Sequence, residues 1–249
     1  SMPSQNDPSA VMPTRVDLSP AQQQWLLSLS GYLSMQNGFS LDELTHHHKN
    51  FTDEQIAEGN VSILKDAYGV TTKEELINAL QFFCDTPQNQ AFIKCLADFT
   101  TMDFYGIERK YEESKGTPYE AITGWAKTHA RSLSMFGIKA FDIGRYAFLC
   151  RCGVTVGLLT EAEAWGYLAH IGSIAQSLFS SWTDFATSYL VGRSMWQKML
   201  LPESFVDIDV VFDFRYGFYK SMEQTTTGLQ GIFADEEHPW CQLDWDMTF

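Results

Sequence analysis

TEAEAWGYLAHIGSIAQSLF, residues 160–179, opens on a threonine three positions before a glutamate. A hydroxyl at Thr160 can accept from the backbone amide of Glu163, while the Glu163 carboxylate reaches back to the amide of Thr160. The stretch then places Trp165, Leu168, Gly172, Ala175 and Phe179 at intervals of three and four. That spacing puts them on one face of a helix and matches no period of two. The pattern predicts a helix over 161–179.

The same signature recurs along the chain. Ser19-Pro20-Ala21-Gln22 supplies a capping serine, a proline at the first helical position and a glutamine at the third. Thr52 with Gln55, Thr72 with Glu75 and Thr117 with Glu120 repeat the box, Thr86-Pro87 is a further start, and Ser181 with Asp184 is a shorter version. Two more apolar stripes follow the helical period: Ile122, Trp125, His129, Leu133 and Phe136, and Trp182, Phe185, Tyr189, Gly192 and Trp196. Helices are therefore expected over 20–36, 53–68, 72–84, 87–101, 118–135, 138–156, 161–179 and 182–200. The fold class is all-α, a single globular domain of about eight or nine helices over 19–249, with short connections that make neighbours antiparallel. Residues 1–18 are polar, hold three prolines and show no period, which predicts a disordered arm. VDIDVVFDFRYGF, 206–218, alternates as a strand does, but no second strand exists to pair with it. Phe205, Ile208, Phe212, Arg215 and Tyr219 also make a helical face, and the context favours helix.

The chain has 249 residues, 45% hydrophobic and 19% charged, the balance of a soluble globular protein. It contains no apolar run of membrane-spanning length, so no membrane span is expected. Its first residues lack a basic segment followed by an apolar one, so no secretory signal is expected. The five cysteines (Cys84, Cys95, Cys150, Cys152 and Cys241) are odd in number and irregularly spaced. Reduced, mostly buried thiols and a cytoplasmic location follow. They show no zinc spacing. The net charge is −14, and residues 203–249 hold ten acids against two bases, Arg215 and Lys220. Such a balance disfavours nucleic acid and anionic membranes and favours a basic partner.

Few residues carry candidate chemistry. In FDIGRYAFLCRCG, 141–153, Asp142 and Arg145 share a helical face within an apolar run, and Arg193 lies beside the Trp182–Trp196 stripe. Buried charges need partners. The three residues are either a network tying helices together or an anion pocket in which both arginines make bidentate bonds. In THHHKN, 45–50, adjacent histidines do not converge on one metal; His46 and His48 would make a weak site only if extended, and a solvated loop is the expectation. His129 is expected to be a hydrogen-bonded core residue and His170 a surface one. Asp207, Asp209 and Asp213 are read as a solvated acidic face in preference to a magnesium site. FADEEHPWCQLDWDMTF, 233–249, mixes acids with Trp240 and Trp245. The two tryptophans are expected to dock the tail and the acids to point outward. No nucleophile elbow, phosphate loop, dinucleotide fingerprint or metalloprotease helix occurs, and neither metal nor cofactor is expected.

AYGVTTKEELINAL (67–80), GIKAFDIGRYAFLCRCGVTVGLLTEAEAWGYL (137–168), SSWTDFATSYLVGRSMW (180–196) and HPWCQLDW (238–245) together resemble the bacterial domain of unknown function numbered 1266, over roughly residues 60–246. The family pattern is an aromatic-Asp-x-Gly-Arg helix, a Ser-Trp helix ending in Gly-Arg-x-x-Trp, and a Pro-Trp…Trp tail. It falls on Phe141, Asp142, Gly144 and Arg145; on Trp182, Gly192, Arg193 and Trp196; and on Pro239, Trp240 and Trp245. Phe141 stands where Trp is commoner. The resemblance implies a helical fold and brings no assigned activity. The siting of some family members near secreted-toxin loci suggests one sharper form of the charge argument. The leading expectation is a protein that binds another macromolecule, in that form an immunity-type inhibitor of a basic toxin, through an acidic C-terminal face of Asp235, Glu236, Glu237, Asp244 and Asp246. The alternative is an enzyme or small-anion binder built on Asp142, Arg145 and Arg193. A purely structural homo-oligomer is a third reading.

Overall fold

Helices begin directly after Ser19, Thr52, Thr72, Thr160 and Ser181, as their capping patterns predict, while Thr86 lies outside the described residues. A computed structural model describes residues 17–85, 87–117, 119–129, 137–199 and 223–248. Its helices are α1 (Pro20–Ser28), α2 (Gly31–Asn37), α3 (Asp53–Tyr68), α4 (Lys73–Cys84), α5 (Pro87–Thr101), α6 (Phe104–Ser114), α7 (Glu120–His129), α8 (Lys139–Thr155), α9 (Glu161–Leu178), α10 (Trp182–Met199), α11 (223–234) and α12 (Pro239–Gln242). No strand occurs among the described residues, and the fold class is all-α. The arm at 1–16, the ambiguous stretch 206–218 with Asp207, Asp209 and Asp213, and the side chains of Trp125, His129 and Trp196 lie outside what is described.

The boxes at Ser19 and Thr52 are complete in both directions. Thr72 and Thr160 also form them: each hydroxyl accepts from the third amide, and Glu75 and Glu163 accept from the capping amides at 3.0 and 2.9 Å. At Thr117 the pattern shifts. The Thr117 hydroxyl accepts from Tyr119 N, and Glu120 reaches one residue further back, to Gly116 N.

The described residues form twelve helices where eight or nine were expected, α11 and α12 among the additions, and three local expectations also change. The single helix over 20–36 is two, because Ser28, Ser30 and Gly31 interrupt it. Ser30 bonds its hydroxyl to the Leu27 carbonyl, a local alternative to the helical ladder, and glycine adds little helical preference. Residues 104–114 form α6, capped by Asp103, whose carboxylate accepts from Gly106 N at 2.7 Å. The strong polarity of FYGIERKYEES hid it. The loop at 45–50 is not wholly solvated: His46 is only 4% exposed.

The described residues fall into two compact units. One draws on 17–84, 143–177 and 246–248, the other on the described residues within 85–142 and 178–245. In the first, Trp25, Leu26, Tyr32, Leu64, Leu76, Phe148 and Leu168 are buried. Gly153 gives α4 its approach to α8: a Cβ there would meet Leu76 Cδ2 at 2.6 Å. In the second, Phe92, Leu96 and Phe99 of α5 pack with Ile122, Ala126, Ile138 and Val191. There α10 crosses the start of α8 closely. A Cβ on Gly192 would lie 2.7 Å from Phe141 Cβ and 2.8 Å from the Ile138 carbonyl oxygen. One turn earlier, Ser188 donates to Gly137 O and accepts from Ala140 N. The serine bonds an amide and a carbonyl at the start of α8, and the glycine makes room for the close approach.

Candidate functional site

Asp142 lies in the first turn of α8 and is 3% exposed. Its neighbour Phe141 packs edge-on against Tyr189, ring centroids 5.4 Å apart, and beneath Gly192. The second unit thus brings the surroundings of Asp142 to those of Arg193. Arg193 is half-buried and its Nε donates to Thr225 Oγ1 at 3.2 Å. Arg145 belongs to the first unit, where its guanidinium carbon sits 4.3 Å from the centre of the Phe83 ring, a cation–π contact.

The first unit contains an ionic centre that sequence reasoning missed. Arg151, on α8, is fully buried. Nε donates to Leu44 O at 3.2 Å. Nη1 donates to the hydroxyls of Ser34 and Ser30 at 2.8 and 3.3 Å. Nη2 donates to the carbonyls of Ser40, Glu43 and Thr45. Carbonyls and hydroxyls carry the whole coordination, so the guanidinium holds the loop 40–45 by its shape. Burial pulls the Arg151 pKa down to about 10, opposed by Cys152 and the Asp42 carboxylate, so the group stays charged at neutral pH. The start of this loop is set by Gly38, which caps α2 at φ 69°; a Cβ there would lie 2.6 Å from the His48 ring.

His46 packs beside this cage. Its ring stacks on Phe39 at 4.2 Å and lies 4.8 Å from Phe148. Nδ1 is 2.7 Å from Asn60 Oδ1, and Asn60 Nδ2 donates to Ile56 O, which fixes the amide and makes Nδ1 the protonated nitrogen. Burial, then the Arg151 charge, holds the His46 pKa well below its ordinary value, against the Asn60 hydrogen bond. Cys152 Sγ lies 3.9 Å from the same Nδ1. Cysteine, histidine and asparagine are the residues of a thiol hydrolase. The arrangement here is not that of one. The thiol is fully buried, burial pushes its pKa up, and the nitrogen facing it already bonds Asn60. Reactive cysteines need the reverse: exposure and a lowered pKa. The group is core. Among the described residues no three His, Cys, Asp or Glu side chains converge as metal ligands do.

At the C-terminus, Trp182, Trp240 and Trp245 are buried with Phe179 and Phe185. Trp182 stacks on Trp240 at 5.4 Å and meets Trp245 edge-on at 4.8 Å. Trp182 Nε1 donates to Leu243 O at 3.0 Å and Trp245 Nε1 to Phe179 O at 2.7 Å. His238 caps α12 by accepting from Trp240 N, with Pro239 at the first helical position. Burial lowers the His238 pKa, against the Asp235 charge. Asp235, Glu236, Glu237, Asp244 and Asp246 are all exposed. Residues 223–248 hold six acids and neither lysine nor arginine.

Between α10 and α11 runs an open groove of about 410 Å³. Thr183, Ala186, Thr187 and Leu190 form its α10 wall; Thr226, Leu229 and Phe233 lie on the α11 wall. None of Asp142, Arg145 and Arg193 lines it.

Comparison with known proteins adds a family. Residues 63–245 match the model described as a protein of unknown function (DUF1266). The uncharacterized protein YbeU of Escherichia coli (strain K12) is 23% identical over 146 residues, 54% of this chain and 57% of YbeU. The uncharacterized protein YbeR of the same strain is 37% identical over 62 residues, 25% of this chain and 26% of YbeR. The match spans little more than half the length of the first relative and about a quarter of the second. No solved structure matches. No helix among the described residues is long and apolar enough to cross a membrane. The chain belongs to the DUF1266 family.

Proposed function

We propose that this member of the DUF1266 family binds a basic protein partner through its acidic C-terminal residues. The observation that carries the reading is a division of labour in one short stretch. Trp240 and Trp245 are buried and fix the backbone, while Asp235, Glu236, Glu237, Asp244 and Asp246 stand in solvent. Residues 223–248 hold six acids and neither lysine nor arginine, so no cation of that stretch offsets the charge. Exposed carboxylates on a fixed scaffold raise the rate of encounter with a cationic partner and set its orientation. The sharper form, an immunity-type inhibitor of a basic toxin, rests on the family resemblance.

The test is capture from the native host by the whole chain and by a variant carrying Asp235→Asn, Glu236→Gln and Glu237→Gln, with mass spectrometry of what is retained. The expected result is a basic protein held by the wild type, released by salt, and retained poorly by the variant. Retention of the same partner by both proteins at low salt would overturn the reading.

A further inference from the structure

The groove between α10 and α11 gives the partner a shape. We infer that it is a docking slot for an amphipathic helix of a basic partner protein. The apolar stripe of that helix would lie against Ala186, Leu190, Leu229 and Phe233, and its lysines or arginines against Asp235, Glu236 and Glu237. The inference rests on the proposed function and deepens it.

The two walls run antiparallel. Arg193 of α10 bonds Thr225 at the start of α11, while Trp182 and Phe185 at the other end of α10 pack against Trp240, which also meets Phe233. Each wall presents one helical stripe: positions 183, 186, 187 and 190 on α10, and 226, 229 and 233 on α11. At 1.5 Å per residue the α10 stripe is about 10 Å long, two turns of helix. Two antiparallel helices whose facing stripes set Ala186, Leu190, Leu229 and Phe233 among threonines leave the seat that a third helix fills in a bundle. Phe233 is still 37% exposed in that seat.

The walls decide against an extended peptide. Helical walls keep their own amides and carbonyls bonded, so a strand laid between them finds no ladder, whereas a helix brings its backbone already satisfied. Charge decides the polarity. The α11 helix ends at residue 234, and Asp235, Glu236 and Glu237 follow at once. The negative end of its dipole and three carboxylates act together there. Asp184 lies at the same end, on the first turn of α10. None of the residues lining the groove is cationic. A helix with an apolar stripe and basic residues at one end complements both features.

The test uses the whole chain as bait for a displayed library of random peptides. Enriched peptides should share apolar residues at helical spacing with lysine or arginine clustered towards one end. Synthetic versions should gain helical circular dichroism on binding. Thr187→Arg puts bulk and positive charge into the groove at an exposed position, and Thr183→Arg does so independently. Either should weaken the selected peptides about tenfold or more. The triple neutralisation at 235–237 should weaken them too, most at low salt. If neutralisation weakens binding but both arginine variants bind normally, or the enriched peptides lack helical spacing, the groove inference falls and the acidic-face reading stands. If the arginine variants abolish binding and neutralisation changes nothing, the acidic reading falls, and the basic half of this inference with it. No enrichment is the overturning result for the groove. So is saturable uptake of N-phenylnaphthylamine that selected peptides fail to displace, which would mark a small-molecule site. Self-association of the wild type abolished by Thr187→Arg would put a second copy in the groove instead and overturn the inference.

Discussion

In the first unit one arginine gathers an irregular loop; in the second, a set of aromatic rings gathers an irregular tail. Arg151 reaches residues 30–45 with donors alone, and its partners are carbonyls and hydroxyls. Trp182, Trp240 and Trp245 hold residues 238–245 with stacked area and two indole hydrogen bonds. The two devices stabilise differently. Taking a guanidinium out of water costs several kcal/mol, which its hydrogen bonds only offset, so Arg151 contributes geometry more than net free energy. Each buried indole removes about 150–250 Å² from water, so the tail is held by surplus. The loop should therefore fail when its donors are lost, and the tail when its area is lost.

Arg151→Met makes the sharpest break and the largest loss. The methionine keeps much of the volume and none of the donors, stranding four carbonyls, of which that of Leu44 is buried and those of Ser40, Glu43 and Thr45 part-buried. We expect at least about 4 kcal/mol of destabilisation by urea melt, with hydrogen exchange rising over residues 38–48. Arg151→Lys should recover only part of it, since three donors from one point cannot reproduce the fork. Full stability in Arg151→Met would mean that apolar contact, not hydrogen bonding, holds the loop.

Trp240→Ala tests the other side. Removing the ring that stacks on Trp182 should cost about 3–5 kcal/mol and flatten the near-ultraviolet dichroism of the tryptophans. A loss under about 1 kcal/mol would show that Trp245 alone docks the tail.

Gly192→Ala is next in size. The added methyl meets Phe141 Cβ and a backbone oxygen, neither of which yields easily. Overpacking of this kind costs about 1–3 kcal/mol, read as a lowered denaturation midpoint. Gly59, which has nothing within 4 Å of its Cβ position, is the control; alanine there should be neutral or stabilising.

These sites also separate what sequence could tell from what it could not. Capping is local: Thr160 and Glu163 lie three apart, and their geometry follows from their identity. The tryptophan tail is nearly as legible, because buried indoles among exposed acids are the ordinary outcome for such a mixture. Arg151 is bound by residues more than a hundred positions away, and no pattern within one helix names them. A signal was nevertheless present. Positions 147, 148, 154 and 155 are Ala, Phe, Val and Thr, so no acid on its own helix can pair Arg151, while Cys150 and Cys152 flank it in an apolar run. An arginine there must be buried and must find partners elsewhere. His46 escaped for the same reason, since adjacent histidines suggest solvent until Asn60 and Phe39 are known to meet one of them. The groove depends on how α10 and α11 run against each other, which neither stripe states alone.

Acid probes the first unit again, with a smaller effect. The unfolded chain takes up a proton at His46 near pH 6.5, and the folded chain does so only well below that. The unfolded state therefore binds more protons as pH falls. The His46 contribution is complete above about pH 6.5 and shrinks below it, by at most about 1.4 kcal/mol per pH unit. Thermal melts between pH 7.5 and 5 should show a shallower decline for His46→Phe than for the wild type. His238, whose pKa is also lowered, keeps the residual slope with the same sign. Identical slopes in the two proteins would place the acid sensitivity outside the loop.

The smallest effect on stability is expected where the effect on binding should be largest. Asp235→Asn keeps the oxygen that accepts from Glu237 N. Glu236 is engaged through its backbone carbonyl, which accepts from Gln242 Nε2, and Glu236→Gln leaves that untouched. Glu237 precedes the cap of α12, where an acid is mildly favourable, while Asp235 follows the end of α11, where one is mildly unfavourable. The two terms oppose each other and are screened by solvent. The triple variant with Glu237→Gln should therefore unfold within about 0.5 kcal/mol of the wild type and keep its tryptophan spectrum. Arg151 is a charge the fold cannot release; these are charges it does not use. A loss above about 2 kcal/mol in the triple variant would make the acids part of the scaffold, like Arg151. Weakened capture of a partner would then report unfolding and not a missing surface, and Thr187→Arg in the groove would be the variant left to decide the question.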